Sequence, residues 1–380
     1  MKFLHLSDLH IGKSVNGFSM LAEQKHVFEQ VIGYIRTENP AAVVIAGDVY
    51  DRAAPGVDAV RLFDDFLTGL AHEGVAVMLI SGNHDSPERI SYASRLLADK
   101  RIYFCGAFNG AMHKVTLDDE YGEVHFWLLP FIKPSSVRGI LGEETVNASY
   151  DGAIAAAIAT AGIDYACRNV LVSHQFYAKA GAMPVRSESE LNPVGGIDAV
   201  DASIIGQFDY AALGHLHGGQ RMGAEHIRYC GSPVKYSFSE WRHKKSLTLV
   251  ELREKGGLSI SELPLTPHHD MREIKGRLDE LISDSSFADN KEDYLRVILT
   301  DDEEIIDPMG KLRGVYPNIM SLEFENSRTG IDIESIAPGA EKLTDYELFS
   351  EFFLEVQGST MSEAQAQIVR ELLEKAGDED

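Results

Sequence analysis

Cysteine is scarce in this chain. Cys105, Cys167 and Cys230 are odd in number, far apart and never in a CxxC pair, which argues against both a disulfide framework and a thiolate zinc site. No apolar run approaches the roughly 20 residues a membrane span requires, and the N-terminus meets Ser7 and Asp8 too soon for a secretory leader. A cytoplasmic protein without membrane attachment is expected. A phosphate-cradling loop is missing as well: Gly12-Lys13-Ser14 resembles the end of one, but the glycine required five positions earlier is Ser7, so ATP hydrolysis is not expected here. Basic residues are few, 35 against 59 acidic, for a formal charge of -24. Taken alone, that balance disfavours nucleic acid as a partner, because phosphate contacts normally need a basic face. Internal repeats and low-complexity tracts are absent.

What is present is globular. A hydrophobic share of 44% with 25% charged residues excludes a disordered or fibrous chain, and 380 residues suffice for two or three domains. Over the first 250 residues short β-rich runs alternate with amphipathic helical stretches, the pattern of an α/β fold. The expected strands are Lys2 to Leu6, Ala42 to Ala46, Val75 to Ile80, Ile102 to Cys105, His125 to Leu129, Val170 to Ser173, Tyr210 to Leu213 and Ser246 to Glu251. Phe28, Val31, Ile32 and Ile35 recur at helical spacing, as do Leu62, Phe63, Phe66, Leu67 and Leu70.

A main domain over 1–260 is therefore expected. Leu263 to Pro267 reads as a stiff connector, followed by a small α/β domain over 268–340 with Met271 to Ser283 helical and Tyr294 to Leu299 a strand. A helical hairpin over 341–376 closes the chain. Thr344 with Glu347 and Ser362 with Gln365 are capping boxes opening its two helices, Gly358 ends the first, and an acidic tail follows at 377–380. Phe349, Phe352, Phe353 and Val356 share one face, and Val369, Leu372, Leu373 and Ala376 another. So short a hairpin cannot bury both stripes alone, so it packs on the main body or on another protein.

Five polar clusters fall where apolar strands run out: Asp8-Leu9-His10, Gly47 to Asp51, Gly82-Asn83-His84-Asp85, Ser173-His174 and Gly214-His215-Leu216-His217. Open α/β sheets place ligands at strand ends. Together the clusters supply oxygen and imidazole donors without thiolate, a mixture preferred by manganese, iron or zinc. Residues two apart on an extended segment point to opposite sides, so Asp8/His10 or His215/His217 serve one ion only if the chain turns, whereas each pair can straddle two adjacent ions. Gly47, Gly82 and Gly214 permit turns and close backbone approach. Two ions about 3.5 to 4 Å apart sharing a carboxylate activate water and clamp an in-line phosphoryl displacement. Phosphate-ester hydrolysis is the leading reaction.

The five clusters in this order resemble the calcineurin-like metallophosphoesterase superfamily. Within it, Phe3 to Lys13 and Gly231 to Glu240 are similar to the nuclease subunits of double-strand-break repair complexes, essentially along the whole chain. That resemblance implies a two-sheet sandwich flanked by helices, a small α/β capping domain and a C-terminal hairpin that binds the coiled coil of a partner ATPase. It implies two divalent ions, most readily Mn2+, one held by Asp8, His10 and His217, the other by Asn83, His174 and His215, with Asp48 bridging. His84 would face the scissile phosphate and stabilise or protonate the leaving group. Asp51 is read either as the carboxylate that orients His84 or as an ordinary surface carboxylate, and Asp85 either as support behind the site or as a turn stabiliser. The resemblance further implies DNA as substrate, a homodimer to which the helix Glu23 to Glu38 contributes, and exonuclease and hairpin-opening endonuclease activity. The alternatives are a small-molecule phosphodiesterase or phosphatase on the same fold, and a catalytically inert scaffold.

The acidic charge is then less of an obstacle. Residues 341–380 hold eleven acidic and three basic residues, a third of the net excess, on a segment distant in sequence from the site. Lys133, Arg138, Arg228, Lys235 and Arg242 to Lys245 are either phosphate contacts or solvated charges.

Overall fold

A computed structural model describes residues 1–143, 146–179, 183–190, 199–283, 290–325, 344–357 and 360–377. The chain folds as two compact units, Met1–Asp270 and Met271–Asp380.

The first unit carries two six-stranded sheets. In one, Lys2–Leu6, Ala42–Ala46, Ala76–Ile80 and Ile102–Cys105 run parallel in that order, Ser246–Leu252 lies antiparallel beside the first, and Leu258–Pro264 lies antiparallel beside Ser246–Leu252 at the edge. In the other, Gly122–Leu129, Arg168–Ser173, Tyr210–Leu213 and Ala224–Tyr229 are parallel, with His113–Asp119 and Gln220–Met222 as antiparallel edges. Central strands such as Ala42–Ala46 and Ala76–Ile80 are buried at every position, which is why they read as unbroken apolar runs. Between the sheets lies one core built from Phe3, Val44, Met78, Phe126, Val170, Tyr210 and Val250, with the Phe3 ring edge-on to Phe126 at 5.3 Å. The helices Leu21–Glu38 and Val57–His72 are joined by Phe28 stacking on Phe66 at 4.3 Å. Ile154, Ala157 and Ile158 of Tyr150–Ala159 pack on Trp127, Leu171 and Ala211 of the second sheet. This is the expected sandwich.

Four strands of the two large sheets escaped the sequence reading: His113–Asp119, Gln220–Met222, Ala224–Tyr229 and Leu258–Pro264. Leu263 and Pro264, read as a connector, instead finish an edge strand, where a proline is tolerated. Beyond it the chain stays on the helix Leu21–Glu38, with Tyr34 donating to the Pro264 carbonyl at 2.7 Å and Gln30 bonding Thr266 through both its amide atoms.

In the second unit, Met271–Gly276, Tyr294–Leu299 and Ile319–Phe324 form a parallel sheet. Its core joins Ile274, Leu281, Leu295, Val297, Leu312 and Tyr316. The helix expected over Met271 to Ser283 is corrected here: its first half is a strand, and only Leu278–Ser283 is helical. Met271 and Ile274 suit a helical stripe, yet pairing to Tyr294–Leu299 buries the same two residues. Helices Asp345–Gln357 and Glu363–Gly377 follow. Both capping boxes form, with Thr344 N–H on Glu347 at 2.8 Å and Ser362 N–H on Gln365 at 2.9 Å. Arg370 stacks on Tyr346 at 4.6 Å, and Phe349, Leu354, Ile368 and Leu372 are exposed. Gly358, residues 378–380 and the side chains of Phe352, Val356 and Ala376 lie outside the described residues.

Candidate metal centre

Five parallel strands end at one edge of the sandwich, and each delivers ligand-type residues immediately after its last position. Asp8 and His10 follow Leu6, Asp48 follows Ala46, Asn83 and His84 follow Ile80, His174 follows Ser173, and His215 and His217 follow Leu213. The backbone there is unusual. Asp8, His10, Asp48 and His215 have φ of 53°, 42°, 49° and 98°, a left-handed region that costs a non-glycine residue about 1 to 3 kcal/mol and persists where surroundings enforce it. The enforcement is visible in hydrogen bonds: Asp8 N–H to the Gly47 carbonyl (3.0 Å), His10 N–H to Asp48 (3.0 Å) and Ile11 N–H to Val49 (2.9 Å) zip the first two loops together. Asp85 clasps the next loop to them, its carboxylate accepting from Val49, Tyr50 and Gly82 N–H at 2.9 to 3.0 Å. The two readings of Asp85 therefore merge, since it shapes the turn by holding the loop that carries Asp48.

Glycine is required where loops meet. A Cβ on Gly82 would overlap the Asp48 carboxylate, and one on Gly214 would lie 2.6 Å from His174 Nδ1.

The structure brings the expected ligands together. His10 Nε2 faces His217 Nε2 at 3.1 Å and Asp48 Oδ2 at 3.6 Å. His174 Nε2 lies 3.2 Å from Asp48 Oδ2, 3.2 Å from Asn83 Oδ1 and 4.0 Å from Asp8 Oδ1. His215 Nδ1 is 3.0 Å from Asn83 Oδ1, and the His215 N–H donates to the Asp8 carboxylate at 3.0 Å. Asp8, His10, Asp48, His174 and His217 are all buried. Three overlapping groups could each hold an ion: Asp8, His10 and His217; Asp8, Asp48 and His174; His10, Asp48 and His84. Asp8, His10 and Asp48 each belong to two of these groups.

Tautomers follow from the partners. His174 Nδ1 lies 2.7 Å from the Ala46 carbonyl, which can only accept, so Nε2 is the atom turned inward. Ser189 gives its hydroxyl proton to Glu240 Oε1 (2.6 Å) and accepts from His217 Nδ1 (2.7 Å), leaving the His217 Nε2 lone pair toward His10. Burial drives His10 well below the usual imidazole value against the pull of Asp48. Burial, then the neighbouring His174 charge, pushes His215 down to about 3. His174 behaves oppositely: burial opposes its charge, but Asp48 and then Asp8 raise it to about 9. Two buried carboxylates thus demand positive charge, and neutral imidazole lone pairs converge beside them. That donor set fits divalent cations.

His84 stands edge-on to His10, ring centroids 4.8 Å apart, with its N–H on Asp48 Oδ1 at 2.9 Å. Asp51 reaches it through the backbone carbonyl, 2.9 Å from His84 Nδ1, and not through the carboxylate expected to orient it. That carboxylate accepts from Lys13 at 2.7 Å instead. With Nδ1 donating to a carbonyl, His84 Nε2 is the ring atom left for the site.

Sequence reading missed the residues behind the ligands. Glu240, fully buried, is held by Lys245 at 2.6 Å and sits 3.4 Å from His217 Nδ1, and Glu190 accepts from the His217 N–H at 2.7 Å. Glu240 had one signal, its place at the end of Gly231 to Glu240, a stretch with no ligand of its own, and Glu190 had none. Several proposed phosphate contacts are also engaged elsewhere. Lys235 pairs with Asp270 (2.6 Å), Arg228 with Glu225 (3.1 Å) and Glu262, buried Lys245 with Glu240, and Arg242 stacks on Trp241 at 4.5 Å. His243 and Lys244 line a cavity of about 270 Å3 that His217 also borders.

Comparison with known proteins places these features in a family. Residues 1–145 match the calcineurin-like phosphoesterases, and residues 267–357 match the family described as type 5 capsule protein repressor C-terminal domain. The chain is 30% identical over 381 residues to SbcD of the nuclease SbcCD from Staphylococcus epidermidis, covering 98% of each chain. It is 29% identical over 379 residues to its counterpart in Staphylococcus saprophyticus, again covering 98% of each. Among solved structures, a dimetal phosphatase from Danio rerio matches 70% of this chain and 99% of its own, at 12% identity and TM-score 0.38. Phosphopantetheinyl hydrolase from Mycobacterium tuberculosis matches 64% and 92%, at 16% identity and TM-score 0.39.

Proposed function

Because the chain belongs to the SbcD family of metallophosphoesterase nucleases, we propose that it is a manganese-dependent DNA nuclease subunit working with the SbcC ATPase. It cuts phosphodiesters as a 3'-5' double-strand exonuclease and as a single-strand and hairpin endonuclease, in DNA recombination, repair and replication. The observation that carries this reading is the convergence of Asp8, His10, Asp48, Asn83, His174, His215 and His217 around shared carboxylates, with His84 beside them. Two divalent ions, when bound, would supply an activated water and neutralise phosphoryl oxygens.

Asp8, His10 and His217 would hold one ion and Asn83, His174 and His215 the other, with Asp48 as a ligand to both. His84, fixed through Nδ1 on the Asp51 carbonyl, turns Nε2 to the leaving oxygen. His243 and Lys244 beside the site suit a neighbouring phosphate. Among the described residues no helix is long and apolar enough to cross a membrane; action on DNA in the cytoplasm belongs to the proposal.

Domains over 1–260, 268–340 and 341–376 act as nuclease, cap and docking hairpin in this reading. Exposed Phe349, Leu354, Ile368 and Leu372 give the hairpin an apolar surface for the base of the SbcC coiled coil. A homodimer belongs to the same reading. The helix Glu23 to Glu38 contributes to it in this reading, through the face opposite buried Val27, Phe28, Val31 and Ile35.

The test assays full-length protein and a version lacking residues 345–377 on hairpin DNA and on a small chromogenic phosphodiester, with and without manganese. Both proteins should cleave the small diester only with manganese, full-length protein should also open the hairpin, and only full-length protein should capture SbcC. Cleavage of the diester with DNA left intact would favour a small-molecule phosphodiesterase or phosphatase, and inactivity on both an inert scaffold.

A further inference from the structure

Two pairs of adjacent residues each hold one side chain on the metal-site loop and one on the segment by which the chain leaves the first unit. On the helix Leu21–Glu38 the pair is Glu23 and Gln24, both buried. The Gln24 amide nitrogen donates to the carbonyls of Leu9 (3.1 Å) and His10 (2.8 Å), and its oxygen accepts from the Gly12 N–H (3.1 Å). These bonds pin the loop in which Asp8 and His10 keep their left-handed backbone. Glu23, next door, accepts instead from the His268 N–H (2.9 Å), the His269 N–H (3.2 Å) and His269 Nδ1 (2.8 Å).

The second pair is Lys235 and Tyr236. Tyr236 donates its hydroxyl to the Leu9 carbonyl, accepts from Gln24 Nε2 at 2.9 Å, and sets its ring edge-on to both His10 (5.5 Å) and His217 (5.7 Å). Lys235 donates to Asp270 at 2.6 Å and to the Trp241 carbonyl at 2.7 Å. The exit segment and the ligand loop are thus gripped by the same helical turn and the same stretch of chain. A rigid turn cannot shift Glu23 without carrying Gln24, and Lys235 and Tyr236 are joined by a single peptide.

We infer that Gln24 and Tyr236 are positioning residues for the ion held by Asp8, His10 and His217, and that the exit segment 265–270 controls their placement through Glu23 and Lys235. The inference rests on the metal reading above and adds selectivity to it. His174 and Asn83 follow other strands, so disturbance of the exit segment is felt more strongly at one ion than at the other.

The experiment titrates manganese into full-length wild type, Gln24→Leu, Tyr236→Phe and Glu23→Gln by calorimetry, with electron paramagnetic resonance to follow the coupled pair of ions. Tyr236→Phe keeps the ring and Glu23→Gln the side-chain size, and circular dichroism confirms their folding. Gln24→Leu and Tyr236→Phe should weaken one of two sites by about 10- to 100-fold, the usual cost of losing a partner behind a ligand. Glu23→Gln, which loosens the bonds to His268 and His269, should weaken the same site by about 3- to 10-fold. Wild type binding two ions while the variants keep both affinities, or lose both equally, overturns the inference and leaves the metal reading standing. Wild type that binds no manganese overturns both.

Discussion

Asp48→Asn should empty the site of manganese and reduce phosphodiester turnover by about 10³-fold or more, the scale expected when a metal-generated nucleophile is lost. Asparagine retains the volume and one acceptor oxygen for the His84 N–H, now 2.9 Å from Asp48 Oδ1, so the loop keeps its shape. The charge is what disappears. Asp48 faces His10 at 3.6 Å and His174 at 3.2 Å, ligands assigned to different ions, and its carboxylate is held well below the usual range: burial opposes ionisation, but the facing His174 charge prevails. Without that negative charge neither ion keeps its shared ligand. Elemental analysis of metal per chain, alongside turnover of a chromogenic diester, checks both halves. An Asn variant that retains two manganese ions would remove Asp48 from its bridging role.

His84→Gln should behave differently, with turnover falling about 10²- to 10⁴-fold, the range for a positioned proton donor, while the metal content stays. His84 is half-buried, its Nδ1 engaged by the Asp51 carbonyl, which leaves Nε2 for the leaving oxygen. Glutamine fills the space but cannot donate a proton to a developing alkoxide. The geometry also supplies the competing outcome, because His84 can reach an ion shared with His10 and Asp48. If manganese departs along with turnover, His84 is a ligand. If turnover persists, it is neither ligand nor acid.

The site was legible in sequence because its chemistry is concentrated. Apolar runs such as Ala42–Ala46 and Ala76–Ile80 end abruptly in Asp, Asn or His, and a residue that halts a buried strand with a charge or imidazole calls for a reason beyond packing. The supporting side chains had no such signature. Glu240 is one acidic residue among many in a chain of net charge -24, and only its place behind His217, beside Lys245, distinguishes it. Asp51 illustrates a finer limit, since sequence names the residue but not whether its carboxylate or its carbonyl meets the histidine. The basic residues suffered similarly: Lys235 and Arg228 look available to DNA until Asp270, Glu225 and Glu262 are found against them. Among the strands, those that mix polar and apolar residues were lost. Ala224–Tyr229 carries Glu225, His226 and Arg228 on a partly exposed strand, and Met271–Gly276 offers a spacing that fits helix and strand alike.

The pair of cations at the strand ends is tested most directly by anomalous diffraction from crystals soaked in manganese. Two peaks about 3.5 to 4 Å apart are expected, Asp48 between them, with Asp8, His10 and His217 around one and Asn83, His174 and His215 around the other. Density lacking any peak in that cage, or a lone peak remote from Asp48, would contradict the account.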